Sequence, residues 1–241
     1  MRFSDQLLKG IRYFDLRITK VSGKFKFTHT LVSYTDIFTL LSPVESFMRE
    51  HDKEVLILDC QHFYDMNDAD CDQLLDAFHS LFGDLLCTSD GINVSQALFE
   101  TYIKRNKRVL LIWKTDYANK LSSRNRSLVY KREETLKSEW PNGISKKENL
   151  VPFLLDEYTH KESSDLRLFV LQGILDVSNF GWTEFLWSNL LTYEADLNEY
   201  LYTHLLPQLN TGKGFIYMVD NVSHPDDEAT KKIIRLNANL Q

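Results

Sequence analysis

Stretches of apolar residues alternate with amphipathic stretches along most of the chain. Two early segments alternate apolar and polar side chains with a period of two, which is typical of strands that bury one face. Four later segments are mostly continuous apolar runs, as expected for strands covered on both faces. The six predicted strands are residues 11–18, 24–31, 54–60, 108–113, 166–175 and 214–219.

Between these strands, apolar residues recur at helical spacing. In the first helix, Ser42, Pro43 and Glu45 match the N-cap, first and third positions of a capping box. The polar segment 116–145 has no pattern that places a strand. The further helices are predicted near residues 74–82 and 98–103, and over residues 183–206 and 226–240.

Strands that alternate with helices predict repeated βαβ units and a parallel sheet. The chain has 241 residues, with no internal repeat and no convincing linker. An eight-stranded (β/α) barrel typically has about 250 residues. We therefore expect one α/β domain over residues 1–241, built as a distorted or incomplete (β/α)₈ TIM-type barrel.

Composition narrows the classes of function. Apolar residues make up 43% of the chain and the net charge is −6, with both signs interspersed, which argues against a nucleic-acid partner. Cys60, Cys71 and Cys87 form no CxxC motif, and an odd number of cysteines favours a reduced, intracellular setting. No apolar run reaches the roughly 18 residues of a membrane span. We expect a cytoplasmic protein, with peripheral membrane contact as an option.

Four motifs occur in a fixed order along the chain. They are residues 6–7 with 10–17 (QL…GIRYFDLR), residues 27–30 (FTHT), residues 54–64 (EVLILDCQHFY) and residues 215–220 (FIYMVD). In this order and spacing, the chain resembles the catalytic X-domain of phosphatidylinositol-specific phospholipases C. It is similar to animal proteins that carry the X-domain alone and to the bacterial phosphatidylinositol phospholipases C.

The resemblance implies a distorted (β/α)₈ barrel that cleaves the phosphodiester of phosphatidylinositol in two steps. In such enzymes two histidines act as general base and general acid. Calcium-dependent members hold the metal with carboxylates, whereas metal-independent members have an arginine in place of one of them. Here that place is occupied by Arg17, so the resemblance implies a metal-independent reaction without a cofactor.

Asp15 and Arg17 lie two residues apart on a predicted strand, so their side chains share a face. A planar guanidinium can pair with two non-bridging phosphate oxygens and needs no metal to do so. Asp15 would hold Arg17 or a substrate hydroxyl group. An ordinary ion pair between the two residues is the alternative interpretation.

The resemblance assigns roles to four more residues. His29 would be the general acid, and Asp220 matches the aspartate that orients the general base. His62 and Lys114 follow buried strands and are candidate contacts of the inositol headgroup. Packing of His62 and simple solvation of Lys114 are the alternatives.

The histidine that acts as general base in the family lies on a strand before the GIR motif. The chain has no matching motif before Gln6, so we expect the first strand and this histidine to be missing. Three hypotheses follow: an impaired phosphodiesterase, a non-catalytic headgroup-binding or interaction protein, and a glycerophosphodiester phosphodiesterase. The last requires a metal held by carboxylates, and Arg17 speaks against it.

Overall fold

A computed structural model describes residues 1–29, 31–178, 190–210, 214–222 and 228–238. The chain divides into two compact units, Met1–Leu136 and Lys137–Gln241. Each unit has its own hydrophobic core.

The first unit is built on a seven-stranded sheet. The strand order is β3-β2-β1-β4-β6-β5, and β7 pairs with the other half of β6. The pairs of β4 and β6 are parallel, whereas β1 pairs with β2, and β2 with β3, in antiparallel fashion. The strands are β1 (Tyr13–Val21), β2 (Lys24–His29), β3 (Leu31–Val32), β4 (Leu56–Tyr64), β5 (Leu86–Cys87), β6 (Val109–Trp113) and β7 (Tyr130–Lys131).

Helices cover the apolar side of this sheet. Phe14, Leu16 and Ile18 of β1 are buried in one core with Phe78 and Trp113, because alternate residues of a strand point to the same face. The helices are α1 (Phe3–Leu8), α2 (Ile37–Glu50), α3 (Asp68–Phe82), α4 (Phe99–Lys104), α5 (Thr115–Ala118), α6 (Ser123–Arg126) and α7 (Arg132–Thr135), with a 3₁₀ turn at Gly83–Leu85.

The predicted start of α2 is wrong. The helix begins at Ile37, and the carboxylate of Asp36 accepts hydrogen bonds from the backbone N–H groups of Phe38 and Thr39, at 3.1 and 3.0 Å. Asp36 therefore satisfies the unpaired donors of the first turn, as a good N-cap does. Ser42 and Pro43 lie inside the helix.

A β-bulge interrupts the parallel pairing of β1 with β4. Leu16 pairs with Cys60, but Arg17 pairs with His62, so Gln61 is an extra residue on β4. A bulge bends the strand and re-aims side chains, and bulges are frequent beside active sites.

The second unit contains a three-stranded sheet in the order β10-β9-β8, in which β9 and β10 are parallel. Its strands are β8 (Leu136–Lys137, at the boundary between the units), β9 (Leu168–Gln172) and β10 (Ile216–Met218). Its helices are α8 (Lys147–Thr159), α9 (Leu190–His204) and α10 (Glu228–Ala238), with a 3₁₀ turn at Leu206–Gln208.

The predicted α/β class and the parallel sheet are confirmed, and each of the six predicted strands overlaps an observed one. The segment 116–145, where no strand was predicted, contains β7 and β8. The first part of the helix predicted over 183–206 lies outside the described residues. A closed barrel and a missing first strand stay predictions. Among the helices described, none is long and apolar enough to cross a membrane.

Candidate functional site

The polar side of β1 carries the first two predicted site residues. Asp15 and Arg17 alternate with the buried apolar residues of the strand and share its other face. The Nη2 atom of Arg17 lies 3.4 Å from Oδ2 of Asp15, and the side chains are 24% and 21% exposed. The contacts of Arg17 among the described residues involve Nη2 alone, so Nε and Nη1 have no hydrogen-bond partner there. The guanidinium can therefore still donate to an anion.

Next to this pair, β4 buries a carboxylate completely. Asp59 is 0% exposed, and both its oxygens accept from Nε of Arg132, at 3.1 and 3.0 Å. The hydroxyl group of Tyr13 donates to Oδ2 of Asp59 at 2.6 Å. Arg132, the first residue of α7, has an 11% exposed side chain. Asp59 and Arg132 thus form a buried ion pair, and Asp59 pairs in register with Asp15 of β1.

Burial determines how these groups ionise. It raises the pKa of Asp59 to about 6, although Arg132 and the Tyr13 hydroxyl oppose the rise. Burial, and then the charge of Asp59, raise the pKa of Tyr13, so this hydroxyl group stays a donor. Burial lowers the pKa of Arg132, but the negative charge of Asp59 and the hydrogen bond to it outweigh this effect, and the net shift is upward. Arg132 is therefore a permanent cation.

Gln61, the extra residue of the bulge, links the two ion pairs. In the amide orientation that satisfies both neighbours, its nitrogen donates to Oδ2 of Asp15 at 3.0 Å and its oxygen accepts from Nη2 of Arg132 at 2.9 Å. The bonds form a continuous chain from Asp59 through Arg132, Gln61 and Asp15 to Arg17.

His62 follows the bulge and pairs in register with Arg17. Residues in register on parallel strands share a face, so His62 lies on the side of Arg17. Its ring is partly buried and lies 5.9 Å from that of Tyr64. Burial, followed by the positive charges of Arg17 and Lys114, lowers the pKa of His62 below its ordinary value of 6.5. His62 is therefore a neutral imidazole at pH 7.

Lys114 follows β6, which runs parallel to β4. Its Nζ atom lies 3.6 Å from Oε1 of Glu133, and its side chain is 34% exposed. The carboxylate of Glu133 also accepts from the backbone N–H of Thr115, at 3.1 Å. Because the ends of parallel strands meet at one edge of a sheet, Lys114 lies on the same edge as the end of β4.

The structure does not connect His29 to this cluster. It is exposed at the end of β2, and alternation along β2 assigns it to the face of Phe25 and Phe27. That is the face of the helices, where the ring of Phe27 lies 5.6 Å from that of Phe3. Among the described contacts, none joins His29 to Arg17, and its catalytic role stays a prediction.

Asp220 lies in the second unit, just after β10. Its side chain is exposed, and its backbone carbonyl accepts a hydrogen bond from Nδ2 of Asn198 at 2.8 Å. The expectation that Asp220 orients a catalytic histidine stays a prediction.

Four residues of the cluster escaped the sequence reasoning. The residues that surround the predicted pair are Tyr13, Asp59, Gln61 and Arg132. The sequence contains a signal for one of them, Asp59. A lone Asp59 inside an apolar strand must have a partner, because an unpaired buried carboxylate is costly. The partner, Arg132, lies 73 residues away in the segment where no strand was predicted.

The described residues contain no group of three or more histidine, cysteine or acidic side chains placed to hold a metal ion. The independence of the reaction from metals stays a prediction.

Comparisons with known proteins bear on this arrangement. No family model matches the chain. It is 31% identical over 117 residues to PI-PLC X domain-containing protein 2 of Homo sapiens, which covers 47% of the chain and 37% of that protein. It is 36% identical over 91 residues to PI-PLC X domain-containing protein 3 of Danio rerio, covering 36% of the chain and 28% of that protein. The matches thus span about a third of the length of these relatives.

Solved structures extend the likeness to most of the chain. The phosphatidylinositol-specific phospholipase C of Listeria monocytogenes matches 98% of this chain and 82% of its own, with a TM-score of 0.65 and 16% identity. That of S. aureus matches 96% of this chain and 81% of its own, with a TM-score of 0.67 and 12% identity. At these identities the likeness concerns the fold alone. The expected resemblance is confirmed: the curated homologues of this chain are PI-PLC X domain-containing proteins 1 to 3, and its fold is similar to that of the bacterial phosphatidylinositol-specific phospholipases C.

Proposed function

We propose that this protein is a phosphoric diester hydrolase of the phosphatidylinositol phospholipase C type, which acts on inositol phospholipid headgroups without a metal. One observation carries the proposal. Arg17, which uses only Nη2 to contact Asp15, lies on the same face of the sheet as the neutral ring of His62. Lys114 lies at the same edge of this sheet. Two cations and a neutral imidazole form a suitable environment for a phosphodiester anion with a polyhydroxylated headgroup.

In this proposal Arg17 stabilises the charge that develops on the phosphate oxygens when the inositol hydroxyl group attacks. Its Nε and Nη1 atoms each keep N–H groups that can donate to a phosphate oxygen. Asp15 holds the other side of the guanidinium or accepts from a substrate hydroxyl group. His62 and Lys114 contact the headgroup. The family resemblance supports His29 as general acid and Asp220 as a residue that orients the base.

A second candidate is a headgroup-binding protein without turnover. The observation that favours it is that Arg17, His62 and Lys114 are all suited to binding, whereas no described contact brings His29 to them. Binding of inositol phosphate without release of product from vesicles distinguishes this candidate from the hydrolase.

Peripheral membrane contact is part of the proposal. Leu31 and Tyr34 are 81% and 98% exposed, and Val32 between them is also exposed. Residues 16–35 contain four lysines and arginines and no acidic residue, although the net charge of the chain is −6. Exposed apolar groups beside positive charge suit an anionic lipid surface. In keeping with this, one structural neighbour, the phospholipase of S. aureus, binds membranes.

The first prediction concerns Arg17. We expect Arg17→Met to lower the release of water-soluble inositol phosphate from phosphatidylinositol vesicles by about 10²- to 10³-fold, the typical effect of removing one transition-state donor. Arg124→Met, which removes an exposed arginine paired with Asp76, is the matched control and should leave the rate unchanged. A chelator should have no effect. Equal rates for wild type and Arg17→Met would disprove the proposed role.

The second prediction concerns pH. The affinity for sulfate, whose charge is constant, should rise as the pH falls below 6.5, because His62 then gains a positive charge. If the bound anion raises the pKa of His62 by about one unit, the rise approaches tenfold. Calorimetric titrations between pH 5 and 8 measure it.

The charged groups that act on the His62 ring are those of Arg17, Lys114, Asp15 and Arg132. Asp59, whose pKa is about 6, also gains a proton between pH 5 and 8. His62→Gln removes only the contribution of the imidazole and should flatten the rise, whereas His79→Gln should leave it intact. The same slope in His62→Gln and wild type would exclude His62 from the anion site.

The third prediction concerns lipid surfaces. A Leu31→Asn/Tyr34→Asn variant should bind vesicles that contain phosphatidylserine about tenfold more weakly, because it loses apolar area worth about 1.4 kcal/mol or more. The control is Leu98→Asn/Phe99→Asn, which alters two apolar side chains that are also exposed. Sedimentation at two salt concentrations measures binding and its electrostatic part. Equal losses in the two variants would rule out a specific contact through Leu31 and Tyr34.

A further inference from the structure

Gln61 has an unusual position in the sheet. It is the extra residue of the bulge and has no partner on β1. Its amide nevertheless lies among three charged side chains, with hydrogen bonds of 3.0 Å to Asp15 and 2.9 Å to Arg132. In this orientation the amide nitrogen lies 3.5 Å from Nη2 of Arg17, and because both atoms are donors they form no hydrogen bond with each other. A neutral side chain with one donor end and one acceptor end thus separates two ion pairs.

Arg132 determines the orientation of the Gln61 amide. Arg132 is held by two bonds to the buried Asp59, so the position of its Nη2 atom is set by the core. This N–H group can only donate, so it requires the oxygen of Gln61. The nitrogen of Gln61 must then face Asp15, whose carboxylate can only accept.

The same bond determines where Arg17 is held. Oδ2 of Asp15 accepts from Gln61 and from Nη2 of Arg17, at 3.0 and 3.4 Å. The bond from Gln61 is the shorter one, so it fixes the rotation of the carboxylate, and the guanidinium follows. With Nη2 engaged in this way, the N–H groups of Nε and Nη1 remain as donors for an anion.

We infer that Gln61 is a positioning residue, which transmits the orientation of the buried Arg132 through Asp15 to Arg17. This inference rests on the proposed function for the identity of the anion, a phosphate ester, but the positioning itself does not depend on it. In this inference Gln61 acts through Arg17 and not by contacting the anion itself. The bulge is the structural device that inserts its amide between the two ion pairs.

The test is a double-mutant cycle of Gln61→Met with Arg17→Met, read out as affinity for sulfate. Methionine keeps the length and volume of glutamine but removes both hydrogen bonds. We expect Gln61→Met to weaken sulfate binding about tenfold in the wild-type background, the usual size for one lost charge-assisted bond. In the Arg17→Met background the same change should have no further effect, because its action passes through Arg17.

Two further measurements separate positioning from a merely structural role. The urea midpoint should be similar for Gln61→Met and wild type, since the Asp59–Arg132 pair is intact. The Nε–H group of Arg17, followed by ¹⁵N NMR relaxation without ligand, should lose order in Gln61→Met, because Asp15 then no longer holds the guanidinium in one orientation.

The results distinguish a failure of the proposed function from a failure of the positioning role of Gln61. If Arg17→Met does not weaken sulfate binding, the proposed function fails, and the NMR signal of Arg17 still tests the positioning. If Arg17→Met weakens binding but Gln61→Met does not, or if Gln61→Met weakens it equally in both backgrounds, the inference is overturned. An unchanged Arg17 signal in Gln61→Met overturns it as well.

Discussion

The buried ion pair between Asp59 and Arg132 is the interaction on which the candidate site depends. A carboxylate that is 0% exposed is stable only if its lost hydration is replaced, and here Arg132 and the hydroxyl group of Tyr13 replace it. Replacing a buried ion pair by well-packed apolar residues often leaves a protein equally stable, so stability alone does not explain why this pair is ionic. We infer that the pair orients Gln61, because a second nitrogen of Arg132, Nη2, donates to the amide oxygen of Gln61.

The geometry of the sheet then gathers the remaining groups. β1, β4 and β6 run parallel, so side chains at the ends of these strands meet at one edge. The bulge places Gln61 and His62 on the polar side of β4, while Phe63 returns to the core beside Trp113. The result is an asymmetric charge distribution, in which Arg132 is neutralised by Asp59 but Arg17 is only loosely held by Asp15. Such an arrangement leaves one guanidinium with N–H groups available to an anion.

Part of this site could be predicted from the sequence, and the reasons are local. Alternation along residues 11–18 is enough to place Asp15 and Arg17 on one face, and apolar runs are enough to place His62 and Lys114 after buried strands. The bulge has no comparable signal, because it is a property of two paired strands. Arg132 was missed because β7 has only two residues, and no periodicity can be read from two residues. The start of α2 was wrongly predicted because Ser42, Pro43 and Glu45 resemble a capping box, whereas the helix begins at Ile37, where the side chain of Asp36 caps it.

The most direct test of this account is the free energy of unfolding of variants of the buried pair, measured with urea at pH 7.5. Arg132→Met should cost about 3 to 5 kcal/mol, because it leaves the Asp59 carboxylate buried and unpaired. Asp59→Asn/Arg132→Met should recover much of that loss, whereas Arg124→Met, at an exposed pair, should cost less than about 1 kcal/mol. A cost for Arg132→Met as small as that of Arg124→Met, with no recovery in the double variant, would contradict the claim that this pair anchors the site.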